Sequence, residues 1–226
     1  MNQKLKEFAA LFDHTLLRPD ALPADFEKLC AEAAHWGFKS VAVNPAAVRL
    51  CRQLLSGTGV LVGAAVAFPL GQNTLRAKLF ETEDAIFDGA QEIDYVCNVA
   101  RVKSCDFGYI EKEMSEIVSL CREADVTVKV IFENCLLSRD EIKRLAEIAS
   151  VVRPDFIKTS TGFSKSGATV EDVELMAQSA PGIGVKAAGG IRTLEFTKRL
   201  VAAGATRIGS SASVSIMEEL AACCDI

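Results

Sequence analysis

The sequence predicts an α/β fold in which eight parallel strands, each followed by a helix, close into one barrel. Three observations predict it: short β-rich runs alternate with longer amphipathic runs, the alternation continues through eight strand candidates, and half of the 226 residues are hydrophobic. Strands that alternate with helices pair in parallel through right-handed crossovers. A doubly wound open sheet also satisfies the alternation, but a closed (β/α)8 barrel fits the strand count and chain length better. We therefore expect a single domain over residues 1–226.

The strand candidates are short runs with β-forming composition, and none is separated from the next by a linker or a low-complexity segment. In chain order they are "LFDHT", "FKSVAVN", "VLVGAAVAF", "EIDYVCNV", "TVKVIFE", "DFIKTST", "GVKAAG" and "TRIGS". No short-period repeat accompanies them. The alternation of strand and helix is itself the repeat.

The helix candidates between these strands carry apolar residues at steps of three and four, the spacing of one helix face. In chain order they include "PADFEKLCAEAAHW", "TLRAKLFETEDAIFDG", "YIEKEMSEIVSLCREA", "SRDEIKRLAEIAS", "TVEDVELMAQSA" and "TLEFTKRLVAAG". Capping residues mark their starts at Thr74, Ser138, Thr169 and Thr193, and glycines mark several ends at Gly37, Gly89 and Gly204.

Composition excludes several classes of protein. The net charge of −5 comes from interspersed acidic and basic residues, which favours neither nucleic-acid binding nor membrane-surface binding. The N-terminal segment lacks the apolar run of a signal peptide, and no stretch approaches the length of a membrane span. Eight cysteines form no CxxC pair, so we expect reduced thiols and a cytoplasmic protein. His14 and His35 have no second ligand at metal-binding spacing, which argues against a zinc or non-haem iron site.

The strand pattern places several charged residues inside the barrel. Alternate residues of each strand face the interior, and the apolar members of each strand fit the side that faces the helices. The inward set then includes Lys158, Lys186, Lys129 and Asp94, with Asp13 as a further candidate. Buried salt bridges that only join strands are one explanation, and a single lysine could reach solvent at the rim. Several inward charges on separate strands favour a functional site, because buried charges are costly unless paired or used.

A lysine held beside a second lysine has a specific reactivity. The amine is a nucleophile only when neutral, and its unperturbed pKa is about 10.4. Burial and a neighbouring positive charge both lower that pKa. A neutral Lys158 beside Lys186 would attack a carbonyl and form a Schiff base, whose protonated imine acts as an electron sink. Asp94 is the best-placed carboxylate to move the proton that this chemistry requires.

Two turns have the character of anion-binding sites. "AAGGIRT" follows the seventh strand and "IGSSAS" follows the eighth, and each opens a helix. Backbone N–H groups at such helix starts bind anions, and phosphate sites of barrels often lie after strands seven and eight. With "STG" at Ser160–Gly162 nearby, a phosphate ligand is indicated. Arg192 is either a further phosphate contact or a solvent-exposed arginine at a helix start.

Several motifs taken together resemble a known family. They are, in chain order, "DHTLLRP", "AFPLGQNT", "EIDYVCN", "VKVIFENCLL", "DFIKTSTGF", "GVKAAGGIRT" and "GATRIGSS". Over about residues 12–214 the chain resembles the deoxyribose-phosphate aldolases. The resemblance implies a TIM barrel and a class I aldolase with no metal and no cofactor. The implied reaction is reversible cleavage of 2-deoxy-D-ribose 5-phosphate to acetaldehyde and D-glyceraldehyde 3-phosphate, in deoxyribose phosphate catabolism.

The resemblance also implies roles for individual residues. Lys158 matches the Schiff-base lysine, Lys186 the second lysine that perturbs it, and Asp94 the carboxylate of the proton relay. Asp13 is similar to a supporting acid. The residues that match the substrate- and phosphate-binding turns are Thr161, Gly162, Gly189, Gly190, Gly209, Ser210 and Ser211. The implied partner is a small phosphorylated sugar rather than nucleic acid or membrane, and the family favours a homodimer.

The chain departs from the family pattern at a few positions. Ala42 stands where many members have cysteine, Arg18 where lysine is common, and Ala67 where glycine is common. Ala212 stands where a serine hydroxyl is often found, so we expect weakened phosphate affinity. The chain also ends without the terminal tyrosine that reaches the active site in some relatives. Two other functions stay open at this point: a class I aldolase for a different phosphosugar or keto acid, and an inactive barrel that binds a phosphate ligand.

Overall fold

The barrel is present and closed in the computed structural model, which describes residues 3–224. Within that range eight parallel strands follow one another around the barrel in chain order, and the last strand pairs with the first. They are β1 (Phe12–Leu16), β2 (Ser40–Val43), β3 (Leu61–Val66), β4 (Glu92–Val96), β5 (Thr127–Ile131), β6 (Phe156–Lys158), β7 (Gly184–Ala188) and β8 (Arg207–Ser210). Each of the eight predicted strands is confirmed, and the open-sheet alternative is wrong.

Helices surround the strands on the outside. Those of the described residues are α1 (Gln3–Ala9), α2 (Pro23–Trp36), α3 (Val48–Leu54), α4 (Leu75–Phe87), α5 (Val99–Lys103), α6 (Phe107–Glu123), α7 (Arg139–Val152), α8 (Val170–Ser179), α9 (Leu194–Ala202) and α10 (Ser213–Cys224). Short 3-10 turns lie at Pro45–Ala47 and Asn134–Leu136. No helix within residues 3–224 combines the length and apolar character needed to cross a membrane.

The predicted helix starts are confirmed by their capping contacts. The side chains of Thr74, Ser138, Thr169 and Thr193 each accept a hydrogen bond from the backbone N–H three residues later, at 3.1–3.3 Å. Such caps satisfy N–H groups that have no partner inside the helix. At the other end of α2, Gly37 adopts a left-handed conformation with φ 68° and closes the helix on Ala33 O.

The two faces of β4 separate apolar from charged residues, as period two predicts. On β4, Ile93 and Tyr95 point outward into the apolar layer between strands and helices, where both are fully buried. Glu92 and Asp94 point into the barrel, where they contact cations from other strands. The core therefore lies between the strands and the helices, and the barrel axis is free to carry charge.

The strand register sets which charged residues meet. Asp94 of β4 pairs with Lys129 of β5, and Lys158 of β6 pairs with Lys186 of β7. β6 is shorter than "DFIKTST" predicts, because the chain leaves the strand after Lys158. Thr159 still donates its N–H to Lys186 O at 3.1 Å. Lys158 is thus the last strand residue before the loop that covers the carboxyl end of the barrel.

Candidate active site

Seven charged side chains from six strands meet inside the barrel, and we call them the barrel cluster. Its members are Asp13, Glu92, Asp94, Lys129, Lys158, Lys186 and Arg207. Each is at most 6% exposed. The predicted meeting of three lysines with Asp94 and Asp13 is confirmed as a matter of position.

Asp94 lies at the centre of the three lysines. Its Oδ2 accepts hydrogen bonds from Lys158 Nζ at 2.8 Å and from Lys186 Nζ at 2.6 Å. Its Oδ1 accepts one from Lys129 Nζ at 2.6 Å. Burial alone would raise the pKa of Asp94, but the charges of the three lysines outweigh it and hold that pKa well below its usual range. Asp94 is therefore an ionised carboxylate in direct contact with three amines.

A second layer lies deeper in the barrel, and two of its members, Glu92 and Arg207, are absent from the predicted cluster. Arg207 donates from Nη1 to Asp13 Oδ1 at 2.6 Å and to Glu92 Oε1 at 3.0 Å. Its guanidinium lies 5.0 Å from the centre of the Phe156 ring. Lys129 Nζ donates to Glu92 Oε2 at 2.7 Å, and Lys186 Nζ donates to Asp13 Oδ2. Through these contacts the carboxylates of the deeper layer hold Lys129 and Lys186 in place.

The alternation of residues along the strands gives a signal for Glu92 and Arg207 in the sequence. Period two places Glu92 on the same face as Asp94, and Arg207 on the same face as Gly209. Arg207 stands at the start of its strand, where a long side chain is as easily expected to reach solvent. The structure instead turns its side chain into the barrel, where two carboxylates compensate its charge.

The balance of charge in the barrel cluster decides which amine is neutral. Four cationic side chains face three carboxylates, so one cation lacks a counter-charge when all are ionised. Among the described residues, Lys158 faces the single carboxylate of Asp94, whereas each other cation of the cluster faces at least two carboxylates. Lys158 is therefore the group that gives up its proton at the lowest cost.

The pKa values follow this balance. Burial lowers the pKa of Lys158 to about 8, with the charges of Lys186 and Lys129 acting in the same direction and Asp94 opposing them. Burial would also lower the pKa of Lys129, but the carboxylates around it raise that pKa above its ordinary value. The pKa values of these two buried lysines thus shift in opposite directions, because Lys158 has fewer carboxylates beside it than Lys129 has.

A cavity of about 170 Å³ opens from Lys158 to the turns after β6, β7 and β8. All of the predicted substrate-binding residues line it: Thr161, Gly162, Gly189, Gly190, Gly209, Ser210 and Ser211. Thr15, Leu17, Ala188, Ile191 and Arg192 complete the lining. The structure therefore brings the predicted site residues together: Lys158 lines the cavity, and Asp94 and Lys186 lie behind it in the barrel cluster.

Unpaired backbone donors line the cavity, and groups of this kind suit an anionic ligand. Within residues 3–224, the backbone N–H groups of Gly162, Gly190 and Ser211 donate to no protein acceptor. Such groups at loops and helix starts are the usual ligands of phosphate oxygens. The hydroxyl of Ser210, by contrast, donates to Ile191 O at 2.7 Å and accepts from Ala212 N at 2.9 Å. Ser210 therefore shapes the turn with its side chain rather than presenting a free hydroxyl.

Glycine is required where two of these turns touch. Gly189 has φ 89°, and a Cβ atom there would lie 2.9 Å from Gly167 Cα and 3.2 Å from Gly162 Cα. A side chain would push the loop after β6 away from the turn after β7.

Ala67, which stands where the family commonly has glycine, also adopts a left-handed conformation, with φ 52°. Its N–H donates to Glu81 Oε2 at 2.9 Å, which holds that turn in place.

The site contains amines, carboxylates and backbone donors, and its donor set does not resemble a metal centre. Among residues 3–224, no three His, Cys, Asp or Glu side chains converge in a way that could hold a metal ion. The chemistry that the arrangement supports is imine formation at an amine of lowered pKa, with a carboxylate and an ammonium group beside it.

Comparisons with known proteins agree with this chemistry. The family model described as DeoC/LacD family aldolase matches residues 8–214. The chain is 54% identical to a deoxyribose-phosphate aldolase of Lactobacillus acidophilus, covering 97% of this chain and 93% of that protein. It is 49% identical to a deoxyribose-phosphate aldolase of Bacteroides thetaiotaomicron, covering 96% and 92%. A solved structure of the deoxyribose phosphate aldolase of Aeropyrum pernix, described as tetrameric, superposes with a TM-score of 0.89 at 32% identity, covering 96% and 93%.

Proposed function

The chain belongs to the DeoC/LacD family of aldolases, and from this premise we propose that it is a deoxyribose-phosphate aldolase. It reversibly cleaves 2-deoxy-D-ribose 5-phosphate to acetaldehyde and D-glyceraldehyde 3-phosphate, in the catabolism of deoxyribose phosphates. One observation carries the proposal: Lys158, with a pKa lowered to about 8, lies at the floor of a cavity whose far side presents unpaired backbone N–H groups.

Lys158 is the nucleophile of the proposed reaction. At neutral pH an amine with a pKa near 8 is neutral in about a tenth of molecules, compared with less than a thousandth for an unperturbed lysine. Neutral Lys158 attacks the aldehyde carbon of the open-chain sugar and, after loss of water, forms an imine. Burial disfavours the charged ammonium form of Lys158 and so increases the fraction that can attack.

Asp94 and Lys186 move the protons. Lys186 Nζ and Lys158 Nζ share Asp94 Oδ2, at 2.6 and 2.8 Å, so a proton can pass between these groups without leaving the cluster. In the cleavage direction this pair removes the proton of the C3 hydroxyl, directly or through one water. The C2–C3 bond then breaks: C3 leaves as the aldehyde carbon of D-glyceraldehyde 3-phosphate, and the electrons of the bond flow into the iminium to give an enamine. Protonation and hydrolysis of the enamine release acetaldehyde and free Lys158.

Asp13 is a supporting member of this relay. It accepts from Lys186 Nζ and from Arg207 Nη1, so it holds Lys186 against Asp94. Burial opposes ionisation of Asp13, but the charges of Lys186, Lys129 and Arg207 bring its pKa below the usual range. Asp13 thereby holds Lys186 at the position from which its charge, added to the effect of burial, helps to lower the pKa of Lys158.

The phosphate end of the substrate occupies the turns after β6, β7 and β8. The unpaired N–H groups of Gly162, Gly190 and Ser211 bind the phosphate oxygens. Arg192 lines the same cavity and adds positive charge. Because backbone groups carry this binding, Ala212 in place of a serine removes little of it.

Cleavage of 2-deoxy-D-ribose 5-phosphate by the purified protein, measured by enzymatic detection of glyceraldehyde 3-phosphate, tests the proposed substrate. We expect turnover that exceeds that of other phosphorylated sugars and of keto acids. Faster cleavage of a different phosphosugar would assign another class I aldolase. Binding of deoxyribose phosphate without cleavage would assign the inactive barrel.

The setting of the reaction is part of the proposal. The free thiols of the described residues, among them Cys30, Cys97 and Cys121, support a cytoplasmic protein. The homodimer stays a prediction. So do the small phosphorylated sugar as ligand and the absence of a nucleic-acid or membrane partner. Analytical ultracentrifugation separates a dimer from a monomer or a tetramer.

A further inference from the structure

A buried glutamate outside the barrel cluster is the feature that the proposed mechanism does not use. Glu133 follows β5 and is 3% exposed. Its backbone is left-handed, with φ 61° and ψ 58°, a conformation that residues other than glycine rarely adopt. Conformations of this kind are found where the surrounding structure enforces them, often beside functional sites.

Both carboxylate oxygens of Glu133 are committed to one residue. Oε1 accepts a hydrogen bond from Thr161 N at 3.1 Å, and Oε2 accepts one from Thr161 Oγ1. The thiol of Cys135 lies 3.9 Å from Oε1 and makes at most a weak contact. Among the described residues, no Lys, Arg or His nitrogen lies within 4 Å of this carboxylate. Glu133 is therefore held by Thr161 rather than by an ion pair.

Thr161 passes this constraint to the phosphate-binding turn. Its hydroxyl donates to Glu133 and accepts from Phe163 N at 3.0 Å, so it fixes the backbone on both sides of Gly162. Gly162 has φ 85°, and its N–H is one of the unpaired donors of the cavity. The direction of that N–H depends on the orientation of the peptide between Thr161 and Gly162. Glu133 fixes that peptide by accepting hydrogen bonds from the backbone N–H and the hydroxyl of Thr161.

The loop has a second attachment that does not involve the Glu133 side chain. Asn134 N donates to Thr159 O at 2.9 Å. Thr159 Oγ1 in turn bonds both Ala188 O and Ala188 N at 3.2 Å. A change at the Glu133 side chain therefore leaves the loop anchored at Thr159 while it releases the turn at Thr161.

We propose that Glu133 is a positioning residue that orients the Thr161–Gly162 turn toward the substrate phosphate, and so gives the enzyme its preference for phosphorylated over unphosphorylated sugars. This deepens the proposed function and rests on it. Among the described residues, no hydrogen bond or ion pair joins Glu133 to Lys158 or Asp94, so its effect falls on phosphate binding and not on imine chemistry. Uniform binding of this kind appears in KM and leaves kcat unchanged.

The test compares the wild type with Glu133→Gln on 2-deoxyribose 5-phosphate and on unphosphorylated 2-deoxyribose. An amide oxygen can replace one of the two acceptors but not both. We expect KM for the phosphorylated sugar to rise roughly tenfold, the effect of about one charge-assisted hydrogen bond, with kcat within about twofold. The kcat/KM for the unphosphorylated sugar should stay within about twofold, since no phosphate is bound.

A binding measurement makes the test independent of turnover. Inorganic phosphate stabilises a protein that binds it, so the rise of Tm with phosphate concentration reports its Kd. We expect Glu133→Gln to weaken this Kd by the same factor as KM. If the wild type cleaves neither sugar, the proposed function fails, and the Kd comparison still decides the role of Glu133.

Two further variants supply the controls. Asp155→Asn changes a carboxylate that accepts from Val128 N at 2.8 Å at the other end of the barrel, and it should leave both KM values unchanged. Thr161→Val breaks the Glu133 contact from the other side and should reproduce the loss. In a Thr161→Val background, Glu133→Gln should add little, because the two changes remove one interaction.

Several outcomes would overturn the proposal. Equal losses on both sugars would make Glu133 a structural or catalytic residue, and an unchanged phosphate Kd would exclude a role at the turn. If Glu133→Gln fails to fold, Thr161→Val and Thr161→Ser decide instead. The valine variant should lose phosphate affinity and the serine variant, which keeps the hydroxyl, should retain it.

Discussion

Replacing Lys186 by methionine tests whether one lysine keeps the other neutral. Both Nζ atoms contact Asp94 Oδ2, at 2.6 and 2.8 Å, so they are separated by no more than the sum of those distances. Two unit charges about 5 Å apart repel by roughly 3 kcal/mol at an effective dielectric constant of about 20. That energy corresponds to about two pKa units. Lys186→Met should therefore raise the pKa of Lys158 from about 8 to about 10.

Schiff-base formation is a better readout of this shift than turnover, because Lys186 also belongs to the proton relay. Borohydride trapping of the imine with acetaldehyde, measured as an initial rate against pH, follows the neutral fraction of Lys158. In the wild type the rate should level off above about pH 8, and in Lys186→Met above about pH 10. Near pH 7 the variant should trap roughly a hundredfold more slowly.

A charge-preserving variant separates charge from chemistry. Lys186→Arg keeps the positive charge beside Lys158, so its trapping profile should stay close to that of the wild type even if turnover is lost. A Lys186→Met profile that coincides with the wild-type profile would refute the charge-coupling argument. Burial alone would then account for the lowered pKa of Lys158.

Three further predictions follow from the same structure. Lys158→Met should abolish turnover while the Tm stays equal or rises, because the change removes the surplus cation of the barrel cluster; a large fall in Tm on thermal unfolding would instead assign Lys158 a structural role. The pKa values of Asp13 and Asp94 lie below the usual carboxyl value, so the stability that they contribute is present above about pH 4 and is lost as the pH falls below it. The urea midpoint should accordingly drop as the pH falls from about 4 to about 2, and a constant midpoint would contradict this assignment. Gly189→Ala places a Cβ 2.9 Å from Gly167 Cα, so it should raise KM for the phosphorylated sugar and spare acetaldehyde trapping; loss of trapping as well would show that the change reaches Lys158.

The barrel could be predicted from the sequence because its strands and helices differ in period. On β6, "DFIKTST" is apolar enough to be a strand, yet it carries Lys158, and period two turns that lysine inward. The same rule places Asp94 and Lys186 on inward faces of other strands. Closure of the barrel then brings residues that are 92 positions apart, such as Lys186 and Asp94, into hydrogen-bond contact.

The short helices could not be predicted in the same way. α1, α3 and α5 contain seven, seven and five residues. Two turns or fewer give too few repeats for an apolar period to stand out from loop composition. Tertiary packing stabilises these helices, because each buries two of its side chains against neighbouring elements.

The role of Arg207 depends on a side-chain direction that the sequence does not specify. A long basic side chain at the first position of a strand can reach solvent or bend inward with equal ease. Asp13 and Glu92 favour the inward direction of the Arg207 side chain, because only an inward arginine compensates both carboxylates. Their combined effect appears only once β1, β4 and β8 are assembled around one axis.

Glu133 illustrates a second limit. In "VKVIFENCLL" it continues the alternation of β5 and reads as one more inward charge. The chain leaves the strand at Ile131, and the left-handed backbone at Glu133 redirects its side chain to Thr161. A strand that ends two residues earlier than "TVKVIFE" predicts therefore moves a carboxylate from the barrel axis to the loop above it.

The most direct test of the central claim is the identity of the amine that captures the substrate aldehyde. The protein is incubated with acetaldehyde, reduced with borohydride, digested and mapped by mass spectrometry. We expect a single N-ethyl-lysine at Lys158, formed in the wild type and absent from Lys158→Met. An adduct on Lys186, or no adduct at all, would contradict it.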